Sequence, residues 1–157
     1  LKGMREMSIF YAPNINSYKR FVKGSFAPTA VAWGIDNRSC AVRLVGSGQS
    51  ARMENRLPGG DVNPYLALSA MLACGLYGIE HQLELEPMME GNAYESDAPV
   101  VPSTMREARD LLAGSELARE VFGEKVVEHY VHYADVELDA FEAAVTDWEL
   151  RRGFERL

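Results

Sequence analysis

The segment from Ala51 to Leu57 alternates in residue type, which constrains how the middle of the chain can fold. In an extended strand successive side chains point to opposite faces, so Arg52, Glu54 and Arg56 project together from one face. Two guanidinium groups around a carboxylate can hold anions and, through Glu54, a hard cation. The same pattern also fits a solvent-exposed strand face with cross-strand ion pairs, and the strand alone leaves both interpretations open.

Arginines are concentrated around this strand although the chain as a whole is acidic. Lysine and arginine number 16 against 23 aspartates and glutamates, which gives a net charge of −7. An acidic protein is a poor candidate for nonspecific nucleic-acid binding, which requires a broad basic face. Local basicity instead predicts a small anionic ligand, and the arginines concerned are Arg20, Arg38, Arg43, Arg52 and Arg56.

Cysteine usage and hydropathy suggest a cytoplasmic protein without a membrane partner. Cys40 and Cys74 have no metal-type spacing, and two thiols do not make a disulfide framework. The longest uncharged run, 62–79, contains polar residues and glycines, so we interpret it as a buried helix and not as a membrane span. The opening residues carry no apolar signal-peptide core. The first residue is Leu1, so we expect the chain to be a fragment of something longer.

Short strands are predicted in the middle of the chain, at about 30–35, 41–45 and 51–57. Their connections are only a few residues long and rich in glycine, serine and asparagine, which favours antiparallel neighbours. The chain has 157 residues, near the usual size of one domain. We therefore predict an α+β fold, with antiparallel strands from a larger sheet covered by helices and a helical carboxyl-terminal half.

Helix signals follow the strands. Asn63 and Pro64 fit the cap and first position of a core helix that runs to about residue 86, where a proline stops it. Residues 87–103 lack periodicity and predict a long exposed loop. Thr104 and Ser115 then fit the caps of two short helices. A last helix is expected over 124–152, with an apolar stripe at spacings of three and four.

Several short motifs occur in an order that resembles the carboxyl-terminal part of a glutamine synthetase catalytic domain. Each is weak alone, whereas the full series between residues 16 and 79 is specific. The runs are Asn16-Ser17-Tyr18-Lys19-Arg20, Ala27-Pro28, Trp33-Gly34, Asn37-Arg38-Ser39, Arg43, Arg52-Met53-Glu54-Asn55-Arg56, Asn63-Pro64-Tyr65-Leu66-Ala67 and Gly75-Leu76-Tyr77-Gly78-Ile79.

The resemblance implies an ATP-dependent ligase that joins the γ-carboxyl of glutamate to an amine through γ-glutamyl phosphate. Phosphoryl transfer needs divalent metal ions and cations around the spreading negative charge. The implied roles are Arg38 at the transferring phosphoryl group, Arg43 and Arg52 at ATP phosphates, Arg20 and Arg56 at glutamate carboxylates, and Glu54 at Mg²⁺ or Mn²⁺. Residues 1–157 would form the carboxyl-terminal portion of the catalytic domain, without the amino-terminal domain and the first half of the catalytic domain.

Two positions bear on the amine and on regulation. Ammonia-specific family members usually carry an acidic residue where this chain has Phe26, which predicts an amine larger than ammonia and a likeness to γ-glutamylpolyamine synthetases. Tyr94 falls where some bacterial members carry a regulatory tyrosine that is adenylylated, although its neighbours match poorly.

Two alternatives remain open, namely glutamine synthetase itself and a non-catalytic structural relative. We expect a full-length parent to form a homo-oligomeric ring. We also expect the 157 residues alone to be inactive, because they supply only one of the family's metal-binding carboxylates.

Overall fold

The computed structural model describes residues 1–156 as one small sheet combined with helices. The strands are β1 (Ala30–Ile35), β2 (Cys40–Val45) and β3 (Arg52–Asn55), and short 3₁₀ turns occupy Ile15–Arg20, Gly48–Ser50 and Ala93–Glu95. The helices are α1 (Ser8–Tyr11), α2 (Pro64–Glu80), α3 (Met105–Ala113), α4 (Glu116–Phe122), α5 (Glu124–Ala143) and α6 (Asp147–Phe154). The predicted α+β class with a helical carboxyl-terminal half is confirmed.

The sheet has the order β1-β2-β3 and contains both strand directions. β2 and β3 pair antiparallel, as their short connection predicts. β1 and β2 pair in parallel, with Ala30 opposite Cys40 and Ile35 opposite Leu44, so the predicted antiparallel pairing is wrong for this pair. The connection between them must therefore run back along the sheet. It begins at Asp36, whose left-handed backbone (φ +48°) is uncommon for a residue other than glycine.

The caps of the two short helices are where the sequence predicts them. The Thr104 side chain accepts a hydrogen bond from the Glu107 amide at the start of α3, and α3 ends at Gly114. The Ser115 hydroxyl accepts from the Ala118 amide at the start of α4. Each hydroxyl satisfies an amide that has no partner within its own helix, which fixes where the helix begins.

Two predicted helices are shorter than expected. The helix from residue 64 ends at Glu80, and two residues later Gln82 takes a left-handed backbone (φ +49°) that cannot continue it. The single helix predicted over 124–152 is broken at Ala144, whose backbone is extended. Thr146 and Glu149 then form a reciprocal capping box that starts α6.

The main core lies between the amino-terminal segment and helices α3, α4 and α5. Its fully buried side chains include Met7, Tyr11, Leu112 and Val127. One face of α2 packs on this core through Ala67 and Ala70, with Leu66 and Met71 partly buried beside them. The prediction of a fully buried core helix is wrong, because five large apolar side chains of α2 are exposed: Tyr65, Leu68, Leu72, Leu76 and Ile79.

The segment between α2 and α3 packs against the sheet and is not simply an exposed loop. Val100 forms an isolated antiparallel bridge with Ala30 of β1, and the adjacent Val101 is buried. Ala93 is buried in a small second cluster with residues of β1 and β2. This packing holds the segment beside the loops that carry the predicted site residues. Among helices of residues 1–156, none is both long and apolar enough to cross a membrane.

Candidate active site

Four of the predicted site residues line one cavity of about 490 Å³ next to the end of β3. We call it the arginine cavity, and its lining includes Arg20, Phe26, Glu54 and Arg56. Arg56 follows β3 directly and continues its pairing, since its amide donates to the Ala41 carbonyl at 2.9 Å. The alternation of side chains along β3 therefore brings Glu54 and Arg56 to the same cavity.

Met53 and Leu57 face the other side of the strand, whereas Asn55 borders both cavities. Leu57 is completely buried in the core. Met53 lines a different cavity together with Val42, and it is 56% exposed. Met53 and Leu57 therefore lie on the face opposite Glu54 and Arg56, as predicted, although Met53 is more exposed than a packed residue would be.

Glu54 is held between two arginines. In the β2–β3 pairing Arg43 lies opposite Glu54, and its Nη1 is 3.0 Å from Glu54 Oε2. Arg52 Nη2 is 3.1 Å from Glu54 Oε1. The hydrogen bond from Arg43, with the charges of both arginines, lowers the pKa of Glu54 below its ordinary value. The carboxylate is therefore ionised at neutral pH.

Arg43 also binds Asp36, a partner that the sequence reasoning missed. Its guanidinium donates to Asp36 from both Nε, at 3.0 Å, and Nη2, and this lowers the pKa of Asp36. No sequence signal pointed to this contact, because it depends on the parallel pairing of β1 and β2. Asp36 at the end of β1 reaches Arg43 only because β2 runs in the same direction.

Arg20 and Arg56 have no carboxylate within ion-pair distance among residues 1–156. Arg20 Nη2 donates to the Leu57 carbonyl, and its guanidinium lies 4.9 Å from the centre of the Phe21 ring. Arg56 Nη2 donates to the Phe26 carbonyl at 2.8 Å, while its Nε is buried without a hydrogen-bond partner in the described part of the chain. Both guanidinium groups donate to backbone carbonyls and, although the charge of Asp61 acts on Arg20, the pair favours the binding of an anion between them.

Arg38 and Tyr94 lie outside the lining of the arginine cavity. Arg38 is exposed in the β1–β2 connection, and its charge contributes to lowering the pKa of Asp36. The Tyr94 hydroxyl donates to the Ala27 carbonyl at 2.9 Å, directly beside Phe26. The structure thus places both residues on loops that border the site, and their predicted roles remain predictions.

Glu54 has the chemistry of one ligand of a hard cation. Mg²⁺ is usually bound by one or two carboxylates together with substrate phosphates and water. Within residues 1–156 no group of three or more His, Cys, Asp or Glu side chains is placed to hold a metal ion. An ionised carboxylate in this position therefore fits one ligand of a hard cation, and the remaining ligands would have to come from other groups.

The family model for the glutamine synthetase catalytic domain matches residues 1–153. This covers nearly the whole chain, including every residue of the arginine cavity. The chain belongs to the glutamine synthetase catalytic-domain family, as the order of its motifs predicts.

Curated relatives include glutamate–amine ligases. The chain is 64% identical over 157 residues to the γ-glutamylethanolamide synthetase of Streptomyces coelicolor, covering 100% of this chain and 34% of that protein. It is 43% identical over 152 residues to a glutamate–isopropylamine ligase from a Pseudomonas species, covering 94% of this chain and 33% of that protein. The chain thus spans about a third of the length of these relatives, and glutamine synthetases match it as well.

A solved structure supports the same relationship. The chain resembles the protein GmaS in a structure described as an ADP complex, with a TM-score of 0.82 and 27% sequence identity. The match covers 98% of this chain and 37% of that one. The fold described above therefore matches that of about a third of that larger chain.

Proposed function

We propose that this chain is the carboxyl-terminal part of the catalytic domain of an ATP-dependent glutamate–amine ligase, called the parent enzyme below. The parent enzyme would join the γ-carboxyl of glutamate to an amine larger than ammonia, through γ-glutamyl phosphate. The observation that carries this proposal is the arginine cavity, which is lined by Phe26 and by two arginines without a carboxylate within ion-pair distance in the described residues. The names of the γ-glutamylethanolamide synthetase and the glutamate–isopropylamine ligase support it.

The chain's own residues would bind and orient the substrates. Arg20 and Arg56 would hold the carboxylates of glutamate, since planar guanidinium groups suit carboxylate geometry. Arg43 and Arg52, already placed around Glu54, would meet ATP phosphates, and Glu54 would hold one Mg²⁺ or Mn²⁺ ion. When bound, ATP and the metal supply the phosphoryl group and neutralise its charge. Arg38 would reach the transferring group from the β1–β2 connection.

Phe26 would decide the class of amine. Ammonium and protonated alkylamines alike must lose a proton before they attack, and a phenyl ring cannot accept it, so another group would act as the base and Phe26 would select by its surface. The ring can attract a cation through its face, by about 0.5–2 kcal/mol, and it offers apolar surface at roughly 0.8 kcal/mol per buried methylene. Because Phe26 is 66% exposed at the cavity, this surface is available to an alkylamine or a polyamine.

The test is ADP release by the parent enzyme with ammonia, ethanolamine, putrescine and spermine at matched concentrations. We expect an amine with an alkyl chain to give the highest kcat/KM. Phe26→Glu should shift the ratio towards ammonia by about tenfold or more, equivalent to about 1.4 kcal/mol, whereas Phe26→Leu should keep the preference for the larger amine. Highest turnover with ammonia in the unmodified enzyme would leave glutamine synthetase as the activity.

A separate expectation concerns the chain by itself. Glu54 is one ligand, and a hard cation takes several oxygens, so the 157 residues should bind nucleotide weakly at most and release no ADP. Robust turnover by the isolated chain would show that the boundary is misplaced. No nucleotide binding by the parent enzyme would instead favour the non-catalytic relative. A homo-oligomeric ring and the remaining domains as partners are part of the same proposal.

A further inference from the structure

The backbone at Phe26 has an unusual conformation. Its φ of +60° lies in the left-handed region, which an aromatic residue rarely adopts. Such a conformation persists only where surrounding contacts over-determine it. The side chain itself is largely exposed at the arginine cavity, so its own packing does not hold it. The contacts that hold this loop must therefore come from neighbouring groups.

Three hydrogen bonds hold the backbone of Phe26 and Ala27. The Phe26 carbonyl accepts from Arg56 Nη2 at 2.8 Å, and the Ala27 amide donates to Ser25 Oγ at 3.3 Å. The Ala27 carbonyl accepts from the Tyr94 hydroxyl at 2.9 Å. Among these, the bond from Tyr94 spans the greatest sequence separation and comes from a different packed segment.

The segment that carries Tyr94 is itself anchored to the β1–β2 connection. The Ala93 amide donates to Ser39 Oγ at 2.9 Å, and Asn37 Nδ2 donates to the Gly91 carbonyl at 2.8 Å. Ala93 is also buried against β1 and β2. The 3₁₀ turn Ala93–Glu95 thus connects the loop of Phe26 with the loop of Arg38.

We propose that Tyr94 is a positioning residue, which fixes the Phe26 loop for the amine through its bond to the Ala27 carbonyl. This inference rests on the proposed function, since it assigns the loop to the amine. Further contacts link the segment of Tyr94 to this part of the chain. The Val101 amide donates to the Thr29 carbonyl at 2.9 Å, beyond the Phe26 loop, and Lys23 with Glu95 at 3.9 Å joins two well-exposed side chains. An exposed pair of this kind adds little, so within residues 22–28 the tyrosine hydroxyl is the main contact from this segment, beside the bond from Arg56 to the Phe26 carbonyl.

Removal of the hydroxyl should affect the amine more than glutamate. In Tyr94→Phe, the Phe26 backbone can relax out of its left-handed conformation, and the ring then leaves its place at the cavity. Of the two arginines assigned to glutamate, Arg20 is held by the Leu57 carbonyl, independently of Tyr94, whereas Arg56 bonds to the Phe26 carbonyl itself. We therefore expect the KM for the amine to rise about threefold to tenfold, as the loss of one hydrogen bond predicts. The kcat should stay within about twofold, and the KM for glutamate should rise clearly less than the KM for the amine.

Tyr133→Phe is a matched control. The Tyr133 hydroxyl also donates to a backbone carbonyl, that of Pro13, at 3.2 Å, and it lies on α5 away from the arginine cavity. Both variants lose the same chemical group, a tyrosine hydroxyl. Tyr133→Phe should leave the KM for the amine unchanged, which separates the loss of this one contact from a general effect of losing a tyrosine hydroxyl.

The experiment combines kinetics with hydrogen exchange on the parent enzyme. In Tyr94→Phe, amides of residues 22–28 should exchange faster, while Tyr133→Phe should leave them unchanged. An unaltered KM for the amine, or an equal rise in the KM for glutamate, would overturn the proposal. If the unmodified enzyme releases no ADP with any amine, the proposed function fails. Hydrogen exchange then still tests whether the bond from Tyr94 to the Ala27 carbonyl holds the Phe26 loop. Unchanged exchange of residues 22–28 in Tyr94→Phe would show that it does not.

Discussion

Arginines on α3 and α4 have carboxylate partners that the arginines of the arginine cavity lack. Each of them forms an ion pair, namely Arg106 with Glu142, Arg109 with Asp135, and Arg119 with Glu124. Arg109 donates two hydrogen bonds, with Nε and Nη2 at 2.7 and 3.0 Å from the Asp135 oxygens. The positive charge on these two helices is therefore balanced, since each guanidinium has its own carboxylate.

The sheet region instead has a surplus of positive charge. Arg43 and Arg52 share Glu54, and Asp36 adds a second carboxylate to Arg43. In the described part of the chain, Arg20, Arg38 and Arg56 have no carboxylate within ion-pair distance. Arg20 and Arg56 instead donate hydrogen bonds to backbone carbonyls. An arginine-rich stretch therefore marks a ligand site when its guanidinium groups outnumber the carboxylates near them. A high arginine content alone does not mark one.

The substitution Glu54→Gln should give the largest effect. It keeps the shape of the side chain but removes its charge, so a metal ligand is lost and Arg43 and Arg52 lose their carboxylate partner. We expect kcat for ADP release by the parent enzyme to fall about 10²–10³-fold, or about 2.7–4 kcal/mol, as for loss of one electrostatic group at a reacting centre. The midpoint of urea unfolding should change little, because the carboxylate lies at an open cavity.

Glu142→Gln provides the matched control for this change. It makes the same chemical substitution in the helical half, where Glu142 and Arg106 form an ion pair and both side chains are 57% exposed. Activity should stay within about twofold, because such a pair contributes little even to stability. Comparable losses from both variants would remove the distinction between the two regions.

Arg56→Lys should have an intermediate effect, largest on glutamate. Lysine keeps the charge but cannot both donate to the Phe26 carbonyl and present a planar fork to a carboxylate. We expect the KM for glutamate to rise about tenfold, close to 1.4 kcal/mol, with a smaller effect on the KM for ATP. Arg109→Lys makes the same change in the helical half, and it should leave the KM for glutamate unaltered. An unchanged KM in Arg56→Lys would exclude Arg56 from the glutamate site.

Much of the site could be predicted because its elements are local. The alternation along residues 51–57 needs only strand geometry, and it brings Glu54 and Arg56 to one cavity. The caps at Thr104 and Ser115 also depend on residues only three positions apart. Signals of this kind are set within one turn or one strand, so tertiary packing leaves them unchanged.

Features that depend on distant pairing could not be predicted. The parallel direction of β1 and β2 follows from a four-residue connection that runs back along the sheet, an arrangement without a local sequence signature. The contact of Asp36 with Arg43 and that of Tyr94 with Ala27 both follow from such placement. The predicted end of α2 is too late because neither glycine nor proline occurs between Glu80 and Pro87, so no strong stop signal marks the true end. The exposure of α2 has no sequence signal, because apolar residues around a helix normally indicate that the helix is buried.

Asp135→Asn should have the smallest effect, and only on stability. The bond from Arg109 lowers the pKa of Asp135 in the folded state. The pair therefore stabilises the folded state fully above the unfolded pKa of about 3.9. This stabilisation is lost as the pH falls through the folded pKa. With both side chains about a third exposed, we expect about 1 kcal/mol at pH 7 from urea unfolding. The difference from the unmodified protein should be constant from about pH 7 to 5 and shrink below about pH 4. Asp139→Asn, on the exposed side of the same helix, is the control and should show no such dependence. If Asp135→Asn instead lowered kcat with no loss of stability, the helical half would take part in the chemistry, and the contrast between paired and surplus arginines would fail.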